Sequence, residues 1–289
     1  MPPFNVEFYQ PQVLAPDGTT FTDVLDTVIG QAPGERIRRG QDPAAVLALN
    51  RRDSEFIGEA ARIRMEDLPS VIDVANGSRH DLDVEEQEGL GEEIHFLYDA
   101  DLDVIAVQNR GHFRAGALEK LFGDLTDTTL DFAVILSADA WERFERMDLV
   151  TKINFTIARP RDLRGRPLPA LNSVFREIDE FDGVRAKSEI SVMRRRNSGL
   201  NLGAVRRMIS AYRNRGEVFR SLSITGAIRE SDEPDAATRH GVVDFVKGRL
   251  VYTEEVERRG RGRRLDPEGC RVALRRAIRH HRQHLRRHR

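Results

Sequence analysis

IHFLYDADLDVIAVQNRGHFRAGALEKLFGDLTDTTLDFAVILS, residues Ile94–Ser137, is the stretch from which the fold can be read. Ile94–Tyr98 and Val104–Gln108 have strand composition, and the acidic turn Asp99–Asp103 between them makes a hairpin. Leu118, Leu121, Phe122 and Leu125 then recur at helical spacing and mark an amphipathic helix. Phe132–Leu136 follows as a short apolar run of the kind that forms a buried strand. Hairpin, helix and strand in this order place the chain in the α+β class, with mixed sheets and flanking helices.

Outward from that centre, the same reasoning gives an opening strand at Asn5–Tyr9. Phe21, Val24, Leu25, Val28 and Ile29 form one helix face, and Val46–Leu49 with Phe56–Ile63 form a second hairpin turned at Arg51–Ser54. Arg36, Arg38 and Arg39 fall in a loop, and Asn76–Glu93 reads as an acidic loop. Trp141, Phe144 and Met147 mark a helix by their spacing, and Lys152–Ala158 alternates as a strand. Arg159–Pro169, RPRDLRGRPLP, is too rich in proline and arginine for regular structure, so it is expected to be a swivel between two domains.

Beyond it come a helix (Leu171–Asp179), a strand (Ser188–Arg194), a helix (Leu202–Arg213) and a strand (Ser221–Arg229). Val242–Lys247 and Leu250–Glu254 add a short helix and a strand, or two strands. Glu257–Arg264 reads as a flexible basic tether. The last helix carries its own start signals, with Asp266 as N-cap and Pro267 at its first position. The expected organisation is an acidic α+β domain over 1–158, the linker 159–169, a basic α+β domain over 170–256, and a tether with a basic C-terminal helix over 257–289.

Charge carries most of the functional information. The net charge is only −1, yet residues 1–150 hold 13 Lys+Arg against 30 Asp+Glu, whereas 151–289 hold 33 against 17. Such asymmetry points to a polyanion partner for the basic part, or to two halves that attract each other or a second copy. Arginine's planar fork matches phosphate oxygens, so the basic clusters are the candidate nucleic-acid contacts. They comprise Arg194, Arg195 and Arg196 in a turn, Arg206, Arg207, Arg213 and Arg215 on and after a helix, and Arg271, Arg275, Arg279 and Arg282 on the last helix. Without an aromatic ladder for single strands, backbone contact with a duplex is expected.

Other chemistries find less support in the residues. Cys270 is the only cysteine, which excludes an intrachain disulfide or a cysteine-built zinc site. No phosphate-binding glycine loop, dinucleotide fingerprint or nucleophile elbow occurs. His80, Asp81 and Asp83 lack the geometry of a calcium loop, and His280 with His284, although at i, i+4, sit among arginines that repel a cation. Neither a cofactor nor a metal is expected. No apolar run reaches membrane-spanning length, and MPPFNVEFYQ lacks a signal-peptide pattern, which fits a cytoplasmic protein.

The order of FLYDADLDVIAVQNRG, FAVILS, INFTIARP, SEISVM and SLSITGAIRE resembles that of the phage-exclusion protein RexA and its bacterial relatives. The resemblance implies a two-domain DNA-binding protein, homodimeric, in an abortive-infection or prophage defence system, with a further protein partner from that system. The Arg/His-rich tail departs from the pattern, and no catalytic residue carries over. The sequence reading is therefore a non-enzymatic protein binding double-stranded DNA through its phosphates. Its alternatives are a defence nuclease with a dispersed site, and an assembly factor pairing acidic and basic surfaces.

Overall fold

A computed structural model describes residues 2–158, 180, 185–192, 199–214, 219–229, 238–259 and 264–286, apart from positions 16, 17, 41, 67, 73, 74, 86, 87 and 112. The fold is α+β, and the chain divides into two compact units: Met1–Asp131 with Tyr252–Arg289, and Phe132–Val251. The linker 159–169 and the helix expected at 171–179 lie outside the described residues.

In the first unit, Pro3–Val13 (β1) leads into Phe21–Gly30 (α1). Thr20 caps this helix in a reciprocal box with Asp23, which satisfies two donors at the helix start. Ile37–Arg38 (β2), Ala44–Arg52 (β3) and Glu55–Arg64 (β4) follow, with Asp53 turning the β3–β4 hairpin at a φ of 54°. Val71–Ile72 (β5) and Arg79–His80 (β6) pair with each other. Leu90–Asp99 (β7) and Val104–Gln108 (β8) are the hairpin expected from sequence, with Asp99 facing Val104. Leu90 to Glu93 thus belong to a strand, and the expected acidic loop ends earlier. Ala115–Thr126 (α2) follows, and the wholly buried Leu130–Val134 (β9) spans the boundary at Asp131/Phe132.

The sheet of this unit includes the strand Val251–Glu255, described below as β14, and runs β14, β1, β8, β7, β4, β3, β2. Strand alternation gives it two faces. Phe96 and Tyr98 meet α1 and α2 on one face, where Phe21 stands edge-on to Tyr98 at 4.9 Å and Phe122 edge-on to Phe96 at 5.5 Å. The opposite face presents Phe8, Leu97, His95, Glu93 and Glu59, with Glu59 directly across from His95.

The second unit is smaller. Ala138–Glu145 (α3) precedes Met147–Ala158 (β10), so Met147 opens a strand instead of closing the helix. Arg185–Ser191 (β11), Leu202–Asn214 (α4), Phe219–Arg229 (β12) and Thr238–Asp244 (β13) complete a four-stranded sheet ordered β11, β10, β12, β13. Val242–Lys247 thus resolves into the end of a strand and a turn. β10 shifts register near Leu149 and Val150, opposite Gly226, where a Cβ would overlap the Leu149 carbonyl.

Val251–Glu255 (β14) and Pro267–Leu285 (α5) return the chain to the first unit, where Thr253 donates to Asn5 at 2.9 Å. Asp266 caps α5 by accepting from the Gly269 amide at 2.8 Å, as its sequence position requires. Cys270, Ala273, Leu274, Ala277, Ile278 and Leu285 are buried, and α5 packs on β7, β8 and β1. Each large apolar side chain buried there contributes about 1.5–3 kcal/mol. The compact units are bounded at Asp131/Phe132 and Val251/Tyr252, and α5 belongs to the first, whose sheet covers its apolar stripe.

Of the expected tether Glu257–Arg264, positions 260–263 lie outside the described residues. On either side of them Arg258 pairs with Leu265, and Arg264 reaches Glu59 at 2.5 Å and Glu93 at 2.6 Å. Burial raises the Glu93 carboxyl while Arg264 draws it down. Beside them His95 is almost fully buried, and burial lowers its pKa below 6.5, against the opposing pull of Glu59. A lowered folded-state pKa gives stability that is present above the unfolded value and lost as pH falls below it. The denaturation midpoint of the full chain should therefore drop from pH 7 to pH 5, and His95→Gln should flatten that slope. Glu93 acts in the opposite sense from about 4.5 upward, so an equally steep slope in the variant would contradict the assignment to His95.

Candidate nucleic-acid interface

The basic residues of α4 sit on a helix whose position is fixed by its apolar side. Asn201 starts the helix by accepting from the Ala204 amide at 3.0 Å. Val205, Met208, Ile209 and Tyr212 are buried, and the Tyr212 hydroxyl donates to the Phe245 carbonyl at 3.0 Å while accepting from Arg249 Nε at 2.7 Å. Tyr212 also packs edge-on against Phe219 at 5.5 Å. With that stripe inward, Arg206, Ser210 and Arg213 form the adjoining stripe at i, i+4 and i+7. Arg207 is exposed beside them.

The stripe borders a groove of about 400 Å³ lined by Trp141, Phe144, Glu145, Arg206, Ile209, Ser210 and Arg213. Ser137 caps α3 by accepting from Ala140, and Phe144 is held in the core against Phe245 at 5.8 Å. Those anchors turn Trp141 and Glu145 toward α4. Arg206 meets Glu145 at 3.6 Å in a pair whose side chains are 64% and 42% exposed, so the pair itself contributes little. Arg213 is different. Its guanidinium lies 5.9 Å from the Trp141 ring centroid, it is half-buried, and no carboxylate among the described residues pairs with it. Burial alone lowers its pKa, the mark of a cation partly stripped of water.

The structure separates the arginines that the sequence grouped together. Arg206, Arg207 and Arg213 lie on α4 in the second unit, whereas Arg271, Arg275, Arg279 and Arg282 lie on α5 in the first. Arg194, Arg195, Arg196 and Arg215 lie outside the described residues. On α5, Arg275 is held by Glu55 at 2.9 Å, Arg276 by Glu254, and Arg271 by Glu268 at 3.3 Å. Arg279 and Arg282 are exposed; burial raises the Asp99 carboxyl, and Arg282 is near enough to oppose that rise in part. Counted by unit, the first holds 24 Lys+Arg against 31 Asp+Glu and the second 22 against 16. Three of the tail's arginines, Arg264, Arg275 and Arg276, answer carboxylates of the first unit's own sheet.

Trp141 and Ser210 were not among the sequence candidates. Trp141 shares a spacing of three with Phe144, which reads as core. The available signal was the seven-residue spacing of Arg206 and Arg213, two turns that put both on one side of a helix. Among the described residues, no group of histidine, cysteine and acidic side chains is arranged to hold a metal ion, and no helix is long and apolar enough to cross a membrane.

No curated protein matches the chain. Residues 46–262, running from β3 through β14, match one family across most of both units, and the chain belongs to that family of unknown function, DUF6731.

Proposed function

We propose that this protein is a nucleic-acid-binding protein that contacts duplex phosphates, with little base reading, through the exposed side of α4. The observation that carries the proposal is Arg213, a half-buried guanidinium that no carboxylate among the described residues pairs with, on the same helix side as Arg206, which is itself flanked by the exposed Arg207. An unpaired, partly desolvated cation gains most from a charged hydrogen-bond acceptor, and phosphate offers a two-point one. The paired arginines of α5 are held more tightly than Arg206, Arg275 by Glu55 at 2.9 Å in a less exposed pair against 3.6 Å for Arg206 with Glu145, which makes them the weaker contacts. The likeness to RexA extends the proposal to a homodimer acting in phage defence in the cytoplasm.

A gel shift with random-sequence duplex tests it. Affinity should fall with salt at a log–log slope of about −0.9 per phosphate contact, so about −3 if three arginines engage. Unrelated duplexes should compete nearly equally. An absence of binding at low salt, or a flat salt response, overturns the proposal. Cleavage of the duplex on adding Mg²⁺ would establish the nuclease reading in its place.

A further inference from the structure

The nucleic-acid reading leaves the depth of the α3–α4 groove unused, because a phosphate contact needs only a surface. We propose that this groove receives one unpaired nucleotide, its base against Trp141 and its phosphate on Arg213. The inference rests on the nucleic-acid reading and deepens it.

The dimensions suit this occupant. A volume of about 400 Å³ falls at the lower end of small-ligand sites, where a single nucleotide belongs and a folded peptide does not. The lining is graded in the same way as the ligand. Phe144 and Ile209 close the bottom with buried apolar surface, and the partly exposed Trp141, with the Arg213 guanidinium 5.9 Å from its ring centroid, supplies the indole against which a base would stack beside that cation. Aromatic faces hold bases of any sequence because every base has a π-face.

Charge orients the occupant. Arg206, at one end of the stripe, is already matched by Glu145, and that carboxylate repels a phosphate. Arg213, two turns away at about 10 Å along the helix, has no such neighbour among the described residues. The phosphate therefore belongs at Arg213, and Ser210 between the two arginines supplies a hydroxyl for sugar or phosphate oxygens. A base stacked inside a duplex cannot enter, so the occupant is a free nucleotide, a strand end or a base outside the helix.

Trp141 is the only tryptophan in the chain, so its fluorescence reports on this groove directly. The full-length protein is titrated with adenosine monophosphate, with adenosine, with inorganic phosphate and with a short single-stranded oligonucleotide. Saturable quenching is expected with the monophosphate, at least about tenfold weaker with adenosine, and absent with phosphate alone. Saturation by the oligonucleotide at lower concentration than the monophosphate assigns the site to strand ends or unpaired bases, and the reverse order assigns it to free nucleotide. Arg213→Ala should remove the response to the monophosphate with the circular dichroism unchanged.

Equal quenching by phosphate and monophosphate overturns base recognition. No saturable response to either the monophosphate or the oligonucleotide overturns the proposal outright. If duplex still shifts in a gel under those conditions, only the groove inference falls. If the shift is lost as well, the nucleic-acid reading falls with it. The ligand comparison on the unaltered chain decides the matter even if Arg213→Ala does not fold.

Discussion

Changing Arg206, Arg207 and Arg213 together to alanine is expected to lower duplex affinity about a hundredfold or more at moderate salt, since each charge-assisted contact is worth roughly 1.5–3 kcal/mol. The log–log salt slope should become shallower by about 2.7 units, which a general loss of folding would not produce. Neither Arg206 nor Arg207 supports the core, and Arg213 meets it only through Trp141. Arg206 and Arg207 are exposed, and the ion pair that Arg206 makes with Glu145 is solvent-screened. Arg275→Ala on α5 provides the contrast, because it frees Glu55 and removes an arginine that already has a partner. Its effect on binding should be several-fold at most. If Arg275→Ala weakens binding as much as the triple change, the last helix is the main contact and the assignment to α4 is wrong.

The elements of both units were largely legible, and what joins them was not. Hairpins β3–β4 and β7–β8 were readable because period-two alternation ends at short polar turns, and the turn residues Asp53 and Asp103 adopt the left-handed φ that aspartate tolerates. The N-cap of α5 was readable from Asp266 and Pro267, two residues with a direct mechanism. Its destination was not, because an apolar stripe of Leu274, Ala277 and Ile278 specifies that a helix must be covered and not by which sheet. Charge misled for a related reason. Dividing the chain near its midpoint assigned all the tail arginines to a basic half, yet Arg264, Arg275 and Arg276 answer Glu59, Glu93, Glu55 and Glu254 within one unit. The groove stayed hidden because Trp141 and Arg213 are 72 residues apart in sequence, a juxtaposition that tertiary packing alone creates.

The return of α5 has the largest consequence for stability. Leu274 is fully buried within the stripe that packs on β7, β8 and β1, so Leu274→Ala should cost about 2–5 kcal/mol, the lost transfer energy plus that of the cavity left behind. Val272, two residues away and 37% exposed, lies off that stripe, and Val272→Ala should stay within about 0.5 kcal/mol of the parent. Denaturant midpoints measure both costs. Hydrogen exchange shows where Leu274→Ala acts, and faster exchange is expected in β7 and β8, with β10 and β12 protected as before. The same packing governs a fragment of residues 170–289, the basic half as the sequence suggests it. That fragment would lack β10, which lies between β11 and β12 in the second sheet, and would strip α5 of its own sheet. It should therefore fail to fold, with neither cooperative unfolding nor the duplex affinity of the full chain. A cooperatively folded 170–289 fragment, or a Leu274→Ala variant as stable as Val272→Ala, would show that α5 is the independent tail its arginines suggest.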